Sequence, residues 1–577
     1  MITHKIAKRR RTIYRRAVYK IVIVIHVVVV FNSKSFGQLM LNHTSWSLTR
    51  QDHILKFAND TLYISVLSGN RTNTVAFNQK GNLLTVFGMP GKQNCYRDTG
   101  FYRIIYQNSG QQLFLRVIKE TCDHRRSLFN SKLPFNYIPE KNSAPRDWLQ
   151  LDPATDSVAG ISLYKAYQLL EGRKSKPVIV AVIDNGFDLN HEDLRNVIWI
   201  NTSEIPGNGI DDDNNGYIDD IHGWNFRSNK KGMLVENERS GATQVYTAFK
   251  DKYDHADTSN FTGAEKANYA VYKAAKTEYL DKVKSGTDST EFKYAYNVNY
   301  NSGRLIGDDP MHPQQVYGSP FIKFNSNLSH GTHVAGIIGA ERNNQKGIDG
   351  IADNVRIMPI VATTGAGDER DKDIANAIKY AVNNGARVIN MSFSKRYSTD
   401  KKLVDEAIRF AEEKHVLIVH TAGNDGNNDD SLNYYPVARY SDGKKASNFI
   451  NVGWSRPLFN ERLAHPNSGY GKKNVDLFAP GSDIFSTVPG DGYNYKSGSS
   501  MSAPCVTGVA ALLFSYFPQL SMEQVKDIIL SSTYKPAIMV NRPHSKQKVP
   551  FSSLSATGGI LNAYNAVKMA IDLTDRK

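Results

Sequence analysis

Cysteine is nearly absent from this chain: Cys95, Cys122 and Cys505 are the three in 577 residues. So low a count excludes a disulfide-dense scaffold, and with no Cys near the N-terminus a lipid-modified N-terminal cysteine is not indicated. A bilayer-spanning apolar run of about 20 residues is also missing from the N-terminal region. The apolar stretch there, residues 21–31, is short and is interrupted by His26. Acidic residues are absent from residues 1–37, which hold nine Lys or Arg of a chain with formal net charge +15. The remainder therefore carries +6, which is mild for its size and gives no argument for nucleic acid as a partner. No internal repeat is evident. What is present is ordinary for a soluble globular protein, 40% hydrophobic and 22% charged. The length favours one large domain plus a smaller module.

The basic stretch, the apolar run and the small polar residues 32–38 follow one another in the order of an export signal. Residues 1–37 are therefore expected to be a signal peptide and the protein to be secreted; the alternative is a membrane anchor left uncleaved. In an exported protein Cys95 and Cys122 can close a disulfide inside one module, the alternative being two buried thiols. Cys505 is left to pack as a small apolar residue. Residues 38–132 read as β-rich, with runs at 61–66, 83–87, 101–106 and 113–118 broken by Gly, Asn and Pro. They carry no metal or nucleophile pattern, so a binding, inhibitory or chaperoning segment, such as a pro-region, is expected. Residues 133–147, with Pro134, Pro139 and Pro145, read as a linker.

From residue 148 to 577 the texture changes. Apolar β-branched runs at 178–183, 355–361, 388–391, 416–420 and 449–452 alternate with amphipathic stretches such as 371–384 and 402–414. That alternation predicts an α/β domain with a mostly parallel sheet covered by helices on both faces. Residues 228–325 interrupt the rhythm and read as a surface insertion whose middle, 263–284, is helical.

Four segments carry chemistry. Asp184 ends the strand 178–183 and precedes Asn185-Gly186, which places an acid at the crevice where parallel strands end. His330 lies in Ser-His-Gly-Thr-His-Val-Ala-Gly, where no Glu separates His330 from His333 as zinc-binding helices require. Asn424 follows the strand 416–420 in Thr-Ala-Gly-Asn. Ser500 lies in Gly-Ser-Ser-Met-Ser-Ala-Pro, a turn feeding an apolar helix, with Pro504 expected within its first turn. A hydroxyl, an imidazole, a carboxylate and an amide donor are the groups that serine-based amide hydrolysis needs.

Together these motifs, in the order Asp, His, Asn, Ser, resemble the subtilisin-like serine peptidases (subtilases), over roughly residues 148–572. The resemblance implies a subtilisin-like fold and a serine endopeptidase with protein or peptide substrates and no cofactor for catalysis; the chain is expected to be a monomer. It implies Ser500 as nucleophile, His330 as general base, Asp184 as its orienter and Asn424 as oxyanion donor. It also implies that the strand 388–393 is similar to the family's edge segment, where substrate pairs as an added strand. Substrate contacts are then expected at Ser392, Phe393, Ser394 and Gly423. Ser394 and Val437 depart from the small residues common in the family and are expected to reshape the main specificity pocket. A further loop, residues 211–220, places Asp211, Asp213, Asn215, Tyr217 and Asp219 at the alternating positions of an EF-hand-like calcium loop. His222 stands where its last Glu belongs, and Asp220 is the nearby substitute. A structural calcium is expected there, against the alternative of an Asx-rich surface turn.

Overall fold

The computed structural model describes residues 145–286, 292–309, 315–322 and 329–575, together with the backbone of the strands between Thr44 and Ile138. The expected signal segment and both Cys95 and Cys122 lie outside the described residues. The chain divides into two compact units, Met1–Ser143 and Ala144–Lys577.

In the first unit the strands are β1 (Thr44–Leu48), β2 (His53–Ala58), β3 (Thr61–Val66), β4 (Thr72–Lys80), β5 (Leu83–Phe87), β6 (Thr99–Gln107), β7 (Gln112–Lys119) and β8 (Phe135–Ile138). Each pairs antiparallel with the next, and β8 pairs back onto β1, closing a barrel that leaves no free edge. The strand β8 falls inside the stretch expected as linker.

The second unit contains, in chain order, α1 (Leu163–Leu170), β9 (Val178–Asp184), β10 (Trp224–Asn225), α2 (Gly241–Tyr253), α3 (Gly263–Ser285), α4 (His330–Gly339), β11 (Val355–Val361), α5 (Asp371–Asn383), β12 (Val388–Met391), α6 (Lys401–Glu413), β13 (Leu417–Thr421), β14 (Phe449–Ser455) and β15 (Leu477–Pro480). There follow β16 (Ile484–Val488), β17 (Gly492–Lys496), α7 (Ser499–Tyr516), α8 (Met522–Ser531) and α9 (Ala563–Thr574). A seven-stranded sheet runs in the order β10-β11-β9-β12-β13-β14-β15, with every neighbouring pair parallel. Strand alternation divides its side chains between two cores. Val180, Val182, Val388, Leu417 and Val419 meet α4 and α7 in one, while Ala181, Ile183, Ile389, Met391 and Ile418 meet α5 and α6 in the other.

The covering helices follow from their spacing. In α6, Val404, Ala407, Ile408 and Ala411 line one buried face, and Asp400 caps the start by accepting from the Leu403 amide at 3.1 Å. Helix α7 is buried all round except at Tyr516. Pro504 is its sixth residue, past the first turn where the sequence reading puts it, because the helix already begins at Ser499. The stretch expected as an insertion forms an aromatic cluster between α2 and α3, with Tyr246 stacked on Tyr279 at 4.7 Å and Tyr253 packed on Tyr272 at 5.3 Å, which Tyr397 joins.

Candidate active site

Three adjacent strands, β9, β12 and β13, deliver their C-terminal ends to one place, the crevice where open parallel sheets bind ligands. Asp184 is the last residue of β9 and is only 2% exposed. Its carboxylate is fixed by the Asn185 amide, which donates to Oδ1 at 2.8 Å. His330 opens α4, and its Nδ1 lies 2.8 and 3.0 Å from Asp184 Oδ1 and Oδ2. A carboxylate accepts, so Nδ1 carries the hydrogen and Nε2 is left as the basic nitrogen. The close seat of α4 needs Gly331: a Cβ there would come within 2.6 Å of the Gly186 carbonyl and 2.9 Å of the Phe187 ring.

His333 does different work. Its Nε2 donates to the carbonyls of Ile484 and Asn494, both at 3.1 Å, tying α4 to the β16–β17 hairpin. Burial, with Lys496 nearby, brings its pKa down to about 3, so it stays neutral. Lys496, which the sequence reading passed over, donates from Nζ to Ser329 Oγ at 2.9 Å, next to His330. Its only sequence signal is its place at the end of the run leading into Gly498-Ser499-Ser500.

Ser500 stands in the first turn of α7, where amide groups lack intrahelical acceptors. Its Oγ donates to the Ser392 carbonyl at 2.9 Å, and among the described residues no hydrogen bond joins it to His330. Ser392 answers with its own hydroxyl, which donates to the Ser500 carbonyl at 2.9 Å. Asn424 is held by its amide oxygen: Ser499 N and Ser499 Oγ both donate to Asn424 Oδ1 at 2.9 Å. That fixes which way the amide faces and leaves its NH₂ free of this clamp.

The strand expected as an edge is interior, since β12 pairs with β9 on one side and β13 on the other. Sheet pairing uses up the backbone of Val388–Met391, so the segment from Ser392 on lies beyond the sheet ladder. Phe393 is buried against His420 with ring centroids 6.5 Å apart, and Gly423, at φ +84°, faces Ser394 and Tyr434. Cys505 is a buried free thiol, as expected for a small packing residue.

The acidic loop forms a second cluster. Oxygen atoms of Glu204, Asp213 and Asp220 lie within 4.8 Å of one another. Asp211 spends its carboxylate on the amides of Asn215 and Gly216, at 3.0 and 2.8 Å, and Asp219 spends its own on those of Gly207 and Gly209, at 2.8 and 3.0 Å. Asn215 donates from its side chain to Asp213 at 3.1 Å and Asp220 at 3.2 Å, while Tyr217 packs on Tyr380 at 4.8 Å. Asp220 is fully buried, and burial pushes its pKa up to about 6. Among the described residues no Lys, Arg or His pairs with these three acids. Hard oxygen donors converging without a countercharge suit a divalent cation such as calcium. Glu204 was not expected because it stands outside the loop whose spacing carried the signal.

Comparison with known proteins places these features. The profile of the subtilase family matches residues 175–553. A thermophilic serine proteinase of Bacillus sp. (strain AK1) is 38% identical over 251 residues, covering 41% of this chain and 59% of the relative. A cell wall-associated protease of Bacillus subtilis (strain 168) is 36% identical over 37% of this chain and 22% of its own length. Subtilisin-like protease 1 of Plasmodium berghei (strain Anka) is 25% identical over 76% of this chain and 58% of the relative. The chain thus spans less than two thirds of each of these relatives. Because the family match runs unbroken from before the strand ending in Asp184 to beyond the helix carrying Ser500, the chain belongs to the subtilase family.

Proposed function

We propose that this protein is a serine endopeptidase acting outside the cytoplasm, with Asp184, His330 and Ser500 as its triad. The observation that carries the reading is the His330 Nδ1 contact with buried Asp184, which commits Nε2 to the role of base. In this reading Ser500 Oγ leaves the Ser392 carbonyl and donates to Nε2. The hydroxyl then attacks the substrate carbonyl as Nε2 takes its proton, and the imidazolium returns that proton to the leaving amine. An acyl-enzyme on Ser500 results, and water releases it by the same route. The Asn424 NH₂ and the Ser500 amide donate to the developing oxyanion. Substrate backbone runs along Ser392–Ser394, and no cofactor enters the chemistry. Export is supported by the basic and apolar N-terminal pattern and by a relative named as cell wall-associated.

Glu204, Asp213 and Asp220 would hold a structural calcium. Its charge would offset three acids, one of them fully buried.

The test is hydrolysis of denatured casein by the wild type and by Ser500→Ala, with and without a sulfonyl fluoride. Activity in the wild type alone, abolished as the inhibitor adds its mass to Ser500, is the expected result. Two equally inactive folded proteins, with no label on Ser500, would overturn the reading.

A further inference from the structure

The substrate residue that supplies the scissile carbonyl must place its side chain somewhere. Asn424 and Ser500 fix where that carbonyl lies, and the Ser392–Ser394 segment, which lies beyond the sheet ladder, fixes the line of the chain leading to it. The side chain is therefore directed between the Ser392–Ser394 segment and the Ala422–Gly423 turn that precedes Asn424. Gly423 lacks a side chain, and such a residue leaves a slot open to a ligand unless neighbours fill it.

Here neighbours fill it. A Cβ built on Gly423 would stand 3.2 Å from Ser394 Oγ, 3.3 Å from Tyr434 Cδ1 and 3.6 Å from Tyr434 Cε1. One wall of the slot, at Ser394, is thus already against the other, with the Tyr434 ring beside both. The ring is 5% exposed and is anchored at its far end. Its hydroxyl donates to Asp425 Oδ2 at 2.9 Å and accepts from the Asn427 side-chain amide. Swinging it aside would break both of these polar contacts. Beyond the ring lies a cavity of about 50 Å³ lined in part by Asp429, Val437, Phe449 and Asn451. It is too small to accept a displaced phenol.

We propose that Ser394 and Tyr434 together close the specificity slot, so that this enzyme cleaves after residues with the smallest side chains, glycine, alanine and serine. The proposal rests on the serine peptidase reading above. Tyr434 is its main determinant, since its ring occupies the greater volume. Ser394 contributes one hydroxyl. Removing either enlarges the slot from a different wall, so the two can be tested independently.

The experiment compares two peptidyl diphenyl phosphonates of equal length, one ending in the alanine side chain and one in the phenylalanine side chain. Their rates of covalent labelling are followed by intact mass in the full chain. The wild type should take the alanyl reagent at least tenfold faster. Tyr434→Ala should invert that ratio, and Ser394→Gly should shift it toward the larger reagent by a smaller factor. Faster labelling of the wild type by the phenylalanyl reagent would overturn the proposal, as would a ratio unmoved in both variants. Should Tyr434→Ala fail to fold, Ser394→Gly alone still decides, because an unmoved ratio there contradicts a slot closed by its hydroxyl. If neither reagent labels a folded wild type, the nucleophile assignment itself fails and this proposal falls with it, an outcome distinct from labelling with the wrong preference.

Discussion

Ser499 orients Asn424 through two donors on one oxygen, its amide and its hydroxyl, both at 2.9 Å from Oδ1. The arrangement separates donor from clamp, and the two should behave differently when removed. Asn424→Ala should lower kcat by about 10²–10³, the loss known for such a donor in a subtilisin. Ser499→Ala keeps the backbone half of the clamp, so a loss of roughly tenfold is expected, one hydrogen bond's worth. Ser499→Thr should restore it, and KM should hardly change in either case. Glu369 offers a second test at this scale. It is 9% exposed, its Oε2 has no hydrogen-bond partner, and burial beside Asp368 raises its pKa from 4.5 to about 8. Between those values the folded chain holds a proton that the unfolded chain releases, so this group makes stability fall as pH rises from about 4.5 to 8. The slope it adds is at most about 1.4 kcal/mol per pH unit. In a Ser500→Ala background, chosen against self-digestion under the proposed mechanism, Glu369→Gln should flatten the melting temperature across that window. Parallel curves for the two proteins would show that Glu369 does not titrate there. Asp184 and His330 could each be read from local sequence, but their contact spans 146 residues and could not. Glu369 gave no signal at all, because an acid in a polar loop looks solvated until the chain folds over it.

Strands and helices were more legible than their connections. β-branched runs such as Val178–Asp184 announce strands buried on both faces, and the period of α5 and α6 announces helices that cover them. What sequence did not reveal is which strand lies inside the sheet. The run ending at Met391 reads equally well as edge or centre, and only pairing to both β9 and β13 decides. A similar tertiary effect surrounds Pro504. Proline has no amide hydrogen, so the carbonyl four residues back, that of Ser500, loses its helical partner. Ser392 Oγ supplies a replacement at 2.9 Å, and it is itself held by Asn390 Nδ2 at 2.9 Å, whose Oδ1 accepts from Thr507 at 2.9 Å. Helix α7 is thereby pinned to the end of β12 at Ser500. Ser392→Ala should leave the buried Ser500 carbonyl unsatisfied and cost about 1–3 kcal/mol by denaturant unfolding. In a Pro504→Ala background the helix can satisfy that carbonyl itself, so the same substitution should cost markedly less. Equal costs in both backgrounds would show that the freed carbonyl is not what Ser392 serves.

At the scale of the whole catalytic unit, the acidic loop is where a bound ion would act on stability. Glu204, Asp213 and Asp220 come together from two sides of a turn-rich segment whose backbone is tied down by the carboxylates of Asp211 and Asp219. The neighbouring Asn201 side chain donates to Asp213 at 3.0 Å and Asp220 at 2.9 Å, and Tyr380 of α5 bonds Asp220. The loop is therefore joined to the main sheet's covering layer, and an ion bound there stabilises more than the loop. An ion that binds only the folded state at a hundred times its dissociation constant adds about 2.7 kcal/mol. Calcium should therefore raise the melting temperature of the Ser500→Ala protein by several degrees, and a chelator should reverse the rise. The effect should weaken with acidity in a defined sense. Burial raises Asp220 to about 6, and a bound cation favours the carboxylate. Proton and ion compete, so calcium stabilisation should be full above that pH and fade as pH falls through it. Asp220→Asn removes one charge while keeping the shape, and should abolish both the calcium response and its pH dependence. A melting temperature indifferent to calcium and chelator at pH 8 in the unsubstituted loop would instead mean that the three acids are held by the surrounding amides alone.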